Sequence, residues 1–213
     1  GKAFSRQPVG RTTLTLDVTD VLVDGENCLE VKAEHPELIA DMPWVCGGCS
    51  SEWGFSEGSQ PFGIFRPVTL VETDEVRIEP FGVHIWNNEK ADSVFVDLEI
   101  KNYSKHLQEI EVVNKLSDAD GRQTFRLTQK LTLKPGELRV IRQQSPVKDA
   151  SRWSTEKPYL YKLASMIKRS GKTTDEVSTP FGIRTLSWPV KRFTPEGPVA
   201  GSHDGRFFLN GIP

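Results

Sequence analysis

Between His35 and Pro61 the chain gathers the side chains best suited to chemistry: the rings of Trp44, Trp53 and Phe55 and the carboxylates of Glu52 and Glu57, in a run rich in Gly, Ser and Pro. Aromatic rings stack on the apolar faces of pyranoses, and carboxylates accept hydrogen bonds from sugar hydroxyls, so the combination suits a sugar subsite. Glu57, Glu52 and Trp53 are the expected substrate contacts. A connection of this length inside a compact domain is usually functional or disordered. Alternatively, Trp44 and Trp53 plug the mouth of a β-sandwich.

Cys46-Gly47-Gly48-Cys49 lies in the same stretch. A thioredoxin-like motif needs its first Cys at a helix N-terminus inside a βαβ unit, and no such unit is visible. Zinc needs about four ligands, but Cys28 sits in an expected strand and His35 is the only nearby imidazole. Plain loop cysteines, reduced or locally paired, are expected, with no metal and no cofactor. His84 and His106 lack partners in a catalytic arrangement and read as structural or solvated. Lys162, Lys168, Arg169 and Lys172 read as a solvated face.

The elements around this loop are strands. Arg11 to Leu16 and Cys28 to Val31 alternate polar with apolar residues, the period of a half-buried strand. Pro61 to Leu70 is β-prone and kinked at Gly63 and Pro67. Seven more segments follow at sandwich spacing: Val76–Trp86, Ser93–Asn102, Gln108–Leu116, Phe125–Leu133, Glu137–Arg142, Tyr159–Lys168 and Thr173–Thr185. The turns Asp118-Ala119-Asp120-Gly121, Lys134-Pro135-Gly136-Glu137 and Arg169-Ser170-Gly171-Lys172 carry the Gly and Pro that tight reversals require. Val94, Val96, Leu98 and Ile100 share one parity while Asp97, Glu99 and Lys101 share the other, so one face of this strand is dry and one wet. An all-β chain with an immunoglobulin-like β-sandwich over 73–186 is expected. That sandwich contains no Cys, so no disulfide staples it, and Trp153, Tyr159 and Tyr161 are its expected large apolar units. Pro189, Pro195, Gly197, Pro198, Gly201 and Gly205 mark a linker, and Asn210-Gly211 a hairpin turn after an aromatic strand.

The 27 Lys and Arg nearly balance 29 Asp and Glu, and no basic block stands out, which speaks against nucleic acid and anionic lipid as partners. No long apolar run suggests a membrane segment, and no leader is visible. The compartment, periplasm and extracellular space included, is left open by these residues.

Four runs, in order, resemble the glycoside hydrolase family 2 enzymes, which include β-galactosidases, β-glucuronidases and β-mannosidases. Asp17-Val18-Thr19-Asp20 with Gly25-Glu26-Asn27 is similar to the family's strand-end turn and following hairpin. Gly63-Ile64-Phe65-Arg66-Pro67-Val68-Thr69-Leu70 is similar to the strand that closes its sugar-binding domain. Trp153 with Pro158-Tyr159-Leu160-Tyr161-Lys162-Leu163 is similar to its Trp…Pro-x-Leu-Tyr-x-Leu signature. Phe181-Gly182-Ile183-Arg184-Thr185 followed by Phe207-Phe208-Leu209-Asn210-Gly211-Ile212-Pro213 is similar to its approach to the catalytic barrel.

The resemblance implies a non-catalytic part of a retaining glycosidase, with β-galactosidase the expected activity on the family's frequency alone. It implies a partial jelly-roll sugar-binding domain over 1–72, the sandwich over 73–186, and a linker and first hairpin strand over 187–213 leading to a (β/α)8 barrel. Both catalytic glutamates would lie beyond Pro213, so no catalytic residue is assigned here and the chain by itself is expected to be inactive. The implied partners are a β-galactoside-like carbohydrate and the chain's own barrel, and exposed strand edges leave a homo-oligomer open. Glu57, six residues ahead of Gly63, would by resemblance reach the mouth of the barrel, with Glu52 as the other candidate for that role. From a different class, a stand-alone carbohydrate-binding or adhesion protein built of β-sandwiches also fits.

Overall fold

A computed structural model describes residues 2–4, 13–33, 64, 66–187, 193–194, 197–198 and 207–212. The chain divides into two compact units, 1–71 and 72–213. Among the described residues it is all-β, with antiparallel pairing throughout and no α-helix.

Seven strands build the second unit: β1 (Val76–Asn87), β2 (Ser93–Asn102), β3 (Gln108–Ser117), β4 (Gln123–Leu133), β5 (Leu138–Pro146), β6 (Tyr161–Arg169) and β7 (Lys172–Phe181). They form one sheet of order β1-β2-β5 and one of order β4-β3-β6-β7. The chain changes sheet between β2 and β3, between β4 and β5, and between β5 and β6, as a Greek-key sandwich requires. Short pairs follow. Leu186–Ser187 (β8) pairs with Phe208–Leu209 (β11), and Phe193–Thr194 (β9) with Gly197–Pro198 (β10).

The parity of β2 sets the sandwich. Val94, Val96, Leu98 and Ile100 are buried to 1% exposure or less, facing Val112, Leu116, Leu163 and Ile167 of the other sheet's strands. Full burial of each such side chain contributes about 1.5–3 kcal/mol. The turns hold register. Pro135 precedes Gly136 at φ 70°, a type II turn, and the Glu137 carboxylate accepts from the Lys134 amide at 2.7 Å. Ser170 and Gly171 both take positive φ, the type I′ geometry that matches strand twist. At the third turn, Asp118 Oδ1 accepts from the amides of Asp120 at 3.0 Å and Arg122 at 2.8 Å.

Polar side chains inside this core are satisfied in two clusters. Ser165 Oγ donates to Asn114 Oδ1 at 2.6 Å, and Asn114 Nδ2 donates to Gln143 Oε1 at 2.9 Å, a bridge from β6 through β3 to β5 that joins the sheets. Asn102 is fully buried and donates to the carbonyls of His106 (2.8 Å), Leu133 (3.2 Å) and Lys134 (3.0 Å), while its Oδ1 accepts from the Ser104 amide at 2.9 Å and hydroxyl at 2.7 Å.

The expectation for Trp153 is corrected. Tyr161 is buried to 5% and Tyr159 packs against the core, but Trp153 is half-buried and stands outside the core cluster, which is built almost wholly of aliphatic side chains. Its place at the sandwich end, where residues 182–187 leave, explains why a large ring remains partly wet.

In the first unit, Thr19–Val21 forms a single 3-10 turn. Asp17 Oδ1 accepts from the Thr19 amide at 3.0 Å and hydroxyl at 2.7 Å, and Asn27 closes the next loop on Val23 N (3.0 Å) and O (2.8 Å). The Asp-x-Thr and Gly-Glu-Asn phrases are therefore local side-chain-to-backbone turns. Of the strands expected at Arg11–Leu16, Cys28–Val31 and Pro61–Leu70, residues 13–16, 28–31, 64 and 66–70 are described, and they carry no ladder among the described residues.

Replacing Asn102 with Ala removes the donor shared by three carbonyls and should lower stability by on the order of 3 kcal/mol. Urea melts test this: the midpoint should fall with an unchanged slope, and a variant as stable as the parent would assign those carbonyls other donors.

Candidate functional site

Glu52, Trp53 and Glu57, with Trp44, Phe55, Cys46 and Cys49, lie outside the described residues. Cys28 is a free, exposed cysteine. Among the described residues, no group of three His, Cys, Asp or Glu side chains could hold a metal ion. Three surfaces of the second unit carry the chemistry that is on view.

The first is the wet face of the three-stranded sheet. Register places His84, Asp97 and Arg142 in one row and Trp86, Phe95 and Gln144 in the next. Trp86 stacks on His84 at 4.6 Å and on Phe95 at 5.4 Å, and the Arg142 guanidinium lies 5.2 Å from the Trp86 ring centre. Arg142 also grips Asp97 with two parallel hydrogen bonds of 2.8 and 2.7 Å, which hold that carboxyl below the ordinary aspartate range. These rings spend their faces on one another, and the arrangement stiffens the sheet rather than presenting a platform. His84 is a stacking residue in this row.

The second is the end of the sandwich where the chain departs. The Trp153 amide donates to Ile183 O at 2.8 Å, and Asn87 brackets Arg184, donating from Nδ2 to its carbonyl (2.9 Å) and accepting from its amide (3.2 Å). Asn210 then locks the returning segment. Its amide donates to Thr185 O (2.8 Å), its Oδ1 accepts from the Thr185 amide (3.0 Å), and its Nδ2 donates to Trp153 O (2.9 Å). Asn210 and Gly211 both have positive φ, and a single bridge pairs Leu209 with Ile212 across them, so the expected Asn-Gly turn is formed. A Cβ on Gly182 would fall 2.9 Å from Trp153 Cβ, which is why glycine stands there. Two of the motifs read separately in sequence, Trp153 and Phe181-Gly182-Ile183-Arg184, are thus one packing unit, with Arg184 at 5.3 Å over the indole.

The third is an open groove of about 870 Å³ on the wet side of the four-stranded sheet, between the Asp118–Gly121 turn and the run Lys157–Lys162. Tyr159 and Leu160 supply its apolar wall, with Lys115, Lys157 and Lys162 around them and Asp118 and Glu176 as the acids. Tyr159 meets Tyr161 edge-on at 5.2 Å, and its hydroxyl accepts from the Ala119 amide at 3.3 Å, so the wall is braced from behind. Sequence reading missed this groove because Lys115 lies on a different strand from Lys162. Counting register outward from the Asp118–Gly121 hairpin pairs Lys115 with Arg126 of β4, whereas its neighbourhood with Lys162 comes only from the pairing of β3 with β6.

Comparison with known proteins gives a consistent result. The family model described as Glycosyl hydrolases family 2 matches residues 76–184. The β-galactosidase BoGH2A of Bacteroides ovatus is 27% identical over 92% of this chain and 22% of its own length. A β-glucuronidase of Formosa agariphila is 26% identical over 99% of this chain and 21% of its own. A glycosyl hydrolase family 2 member from Bacteroides cellulosilyticus superimposes with a TM-score of 0.54 at 24% identity, covering 66% of this chain and 18% of that one. Bacteroides uniformis β-glucuronidase does so with 0.56 at 18% identity, covering 66% and 17%. The chain thus spans about a fifth of the length of these relatives.

Replacing Asn210 with Ala removes two side-chain hydrogen bonds at the departure point, worth about 1–3 kcal/mol locally. Amide exchange at Leu209 and Ile212 should accelerate while the β2 and β3 amides keep their protection. Unchanged exchange at Leu209 would show that the β8–β11 pairing holds the segment without Asn210.

Proposed function

Because the chain belongs to glycosyl hydrolase family 2, we propose that it is a non-catalytic portion of a retaining glycosidase that scaffolds a catalytic domain and helps shape its sugar site. The observation that carries this is the family match across the sandwich, joined to a span of about a fifth of the relatives' lengths. The Bacteroides ovatus relative is a β-galactosidase, which favours a β-galactoside as substrate, and the Formosa agariphila β-glucuronidase supports a β-glucuronide as the second reading.

In this proposal residues 1–72 are the later part of a jelly-roll sugar-binding domain, 73–186 the scaffold, and 187–213 the approach to a (β/α)8 barrel that supplies both glutamates. Glu57, with Glu52 and Trp53 beside it in sequence, would reach toward the sugar. The support is the pairing of carboxylates and an aromatic ring in one loop, chemistry that a pyranose can use. Asn210 and Trp153 would set where the following polypeptide begins. A homo-oligomer and an intramolecular barrel partner are both part of this reading.

Kinetics test it. The chain alone should turn over no chromogenic β-galactoside or β-glucuronide, whereas the product of the whole reading frame should hydrolyse one of them. Glu57→Gln in that product should lower kcat/KM by about 10- to 150-fold, the worth of a charge-assisted hydrogen bond, without lowering its Tm. Turnover by the chain alone, or a reading frame without a barrel, would overturn the proposal. An unaffected Glu57→Gln would remove that residue from the site.

A further inference from the structure

We propose that the groove between Asp118–Gly121 and Lys157–Lys162 is a binding site for an anionic oligosaccharide of uronate type. The sugar class rests on the glycosidase reading, whereas the anionic character stands on geometry alone.

Lys115 on β3 and Arg126 on β4 are direct cross-strand partners on the wet face. Like charges in that position repel, and a sheet without use for them would alternate their signs. On the other side, Lys115 pairs with Ala164, which places Lys162 as its diagonal neighbour at about 7–8 Å. Lys157 rims the same groove. None of Lys115, Arg126, Lys157 and Lys162 forms an ion pair among the described residues, although acids are as common as bases in the chain.

The groove's own acids, Asp118 and Glu176, offset part of this charge, but neither is a cross-strand partner of Lys115 or Lys162: Asp118 Oδ1 accepts from the amides of Asp120 and Arg122, and Glu176 faces Met166 across β7 and β6. Lys115, Lys157 and Lys162 therefore line a groove with an apolar wall of Tyr159 and half-exposed Leu160 (46% exposed), with Lys157 lying 5.7 Å from the Tyr159 ring centre and Arg126 standing beside Lys115 on β4. A carboxylate at each sugar satisfies the cations, and a pyranose face satisfies the wall. A compact inorganic anion would use only the first, and a neutral glycan only the second.

The test is calorimetric titration of the chain at low ionic strength with hexagalacturonate, a neutral galactose hexamer and hexaglutamate. Hexagalacturonate should bind, and Lys115→Gln and Lys162→Gln should each weaken it roughly ten-fold or more, while Lys105→Gln, away from the groove, should not. Equal melting temperatures establish that the variants fold. Absence of hexagalacturonate binding, or binding indifferent to Lys115 and Lys162, would overturn the proposal. Equal binding of hexaglutamate would make the groove a general anion site and overturn the sugar assignment, and equal binding of the neutral hexamer would overturn the role of the cations. Binding is measured here without turnover, so its failure leaves the glycosidase reading standing, and the reverse holds as well.

Discussion

Everything in the second unit depends on alternate residues of β2 being driven out of water. Val94, Val96, Leu98 and Ile100 press against the aliphatic side chains of β3 and β6, and no disulfide shares the task because this unit contains no Cys. Such burial is non-directional, so it holds two sheets together without fixing how they align. Direction comes from the buried polar groups. The Ser165–Asn114–Gln143 bridge links both sheets at one register, and Asn102 gathers three carbonyls at the crossing from β2 to β3. Left unpaired in that environment, any one of these groups would cost more than its hydrogen bond gains, so only one alignment of the sheets satisfies them all.

A second constraint operates at the end of the sandwich. Trp153 and Gly182 occupy each other's space, Asn210 spans Trp153 and Thr185, and Asn87 brackets Arg184. The segments around Trp153, 182–187 and 207–212 are thereby tied at one place by directional bonds rather than by a large buried area. Trp153 is half-buried because it braces this junction locally, and the core is filled without it.

The two wet faces of the sandwich contrast in how they spend charge. On the three-stranded sheet, Arg142 is consumed by Asp97 and by the Trp86 ring, and the aromatic row is closed upon itself. On the four-stranded sheet, Lys115 and Arg126 oppose each other with no acid between them, beside a groove. Stability alone accounts for the first arrangement and disfavours the second.

The sequence by itself determined the period, the turns and the family. The seven sandwich strands were legible because β-prone segments recur at sandwich spacing between turn residues whose φ preferences are local, as at Gly136 and Ser170-Gly171, and β2 declares its two faces by strict alternation. The family was legible because its motifs are short, linear phrases. What tertiary structure alone decided is which residues meet. Trp153 passed for core because size and hydrophobicity suggest burial, yet its exposure depends on where the chain leaves the sandwich. Lys162 is exposed, as the reading of it as a solvated charge expects, but that it neighbours Lys115, 47 residues away in sequence, follows only from the β3–β6 register. Alternation is a property of one segment and pairing a property of two, so an alternating run such as Cys28–Val31 names a face without naming its neighbour.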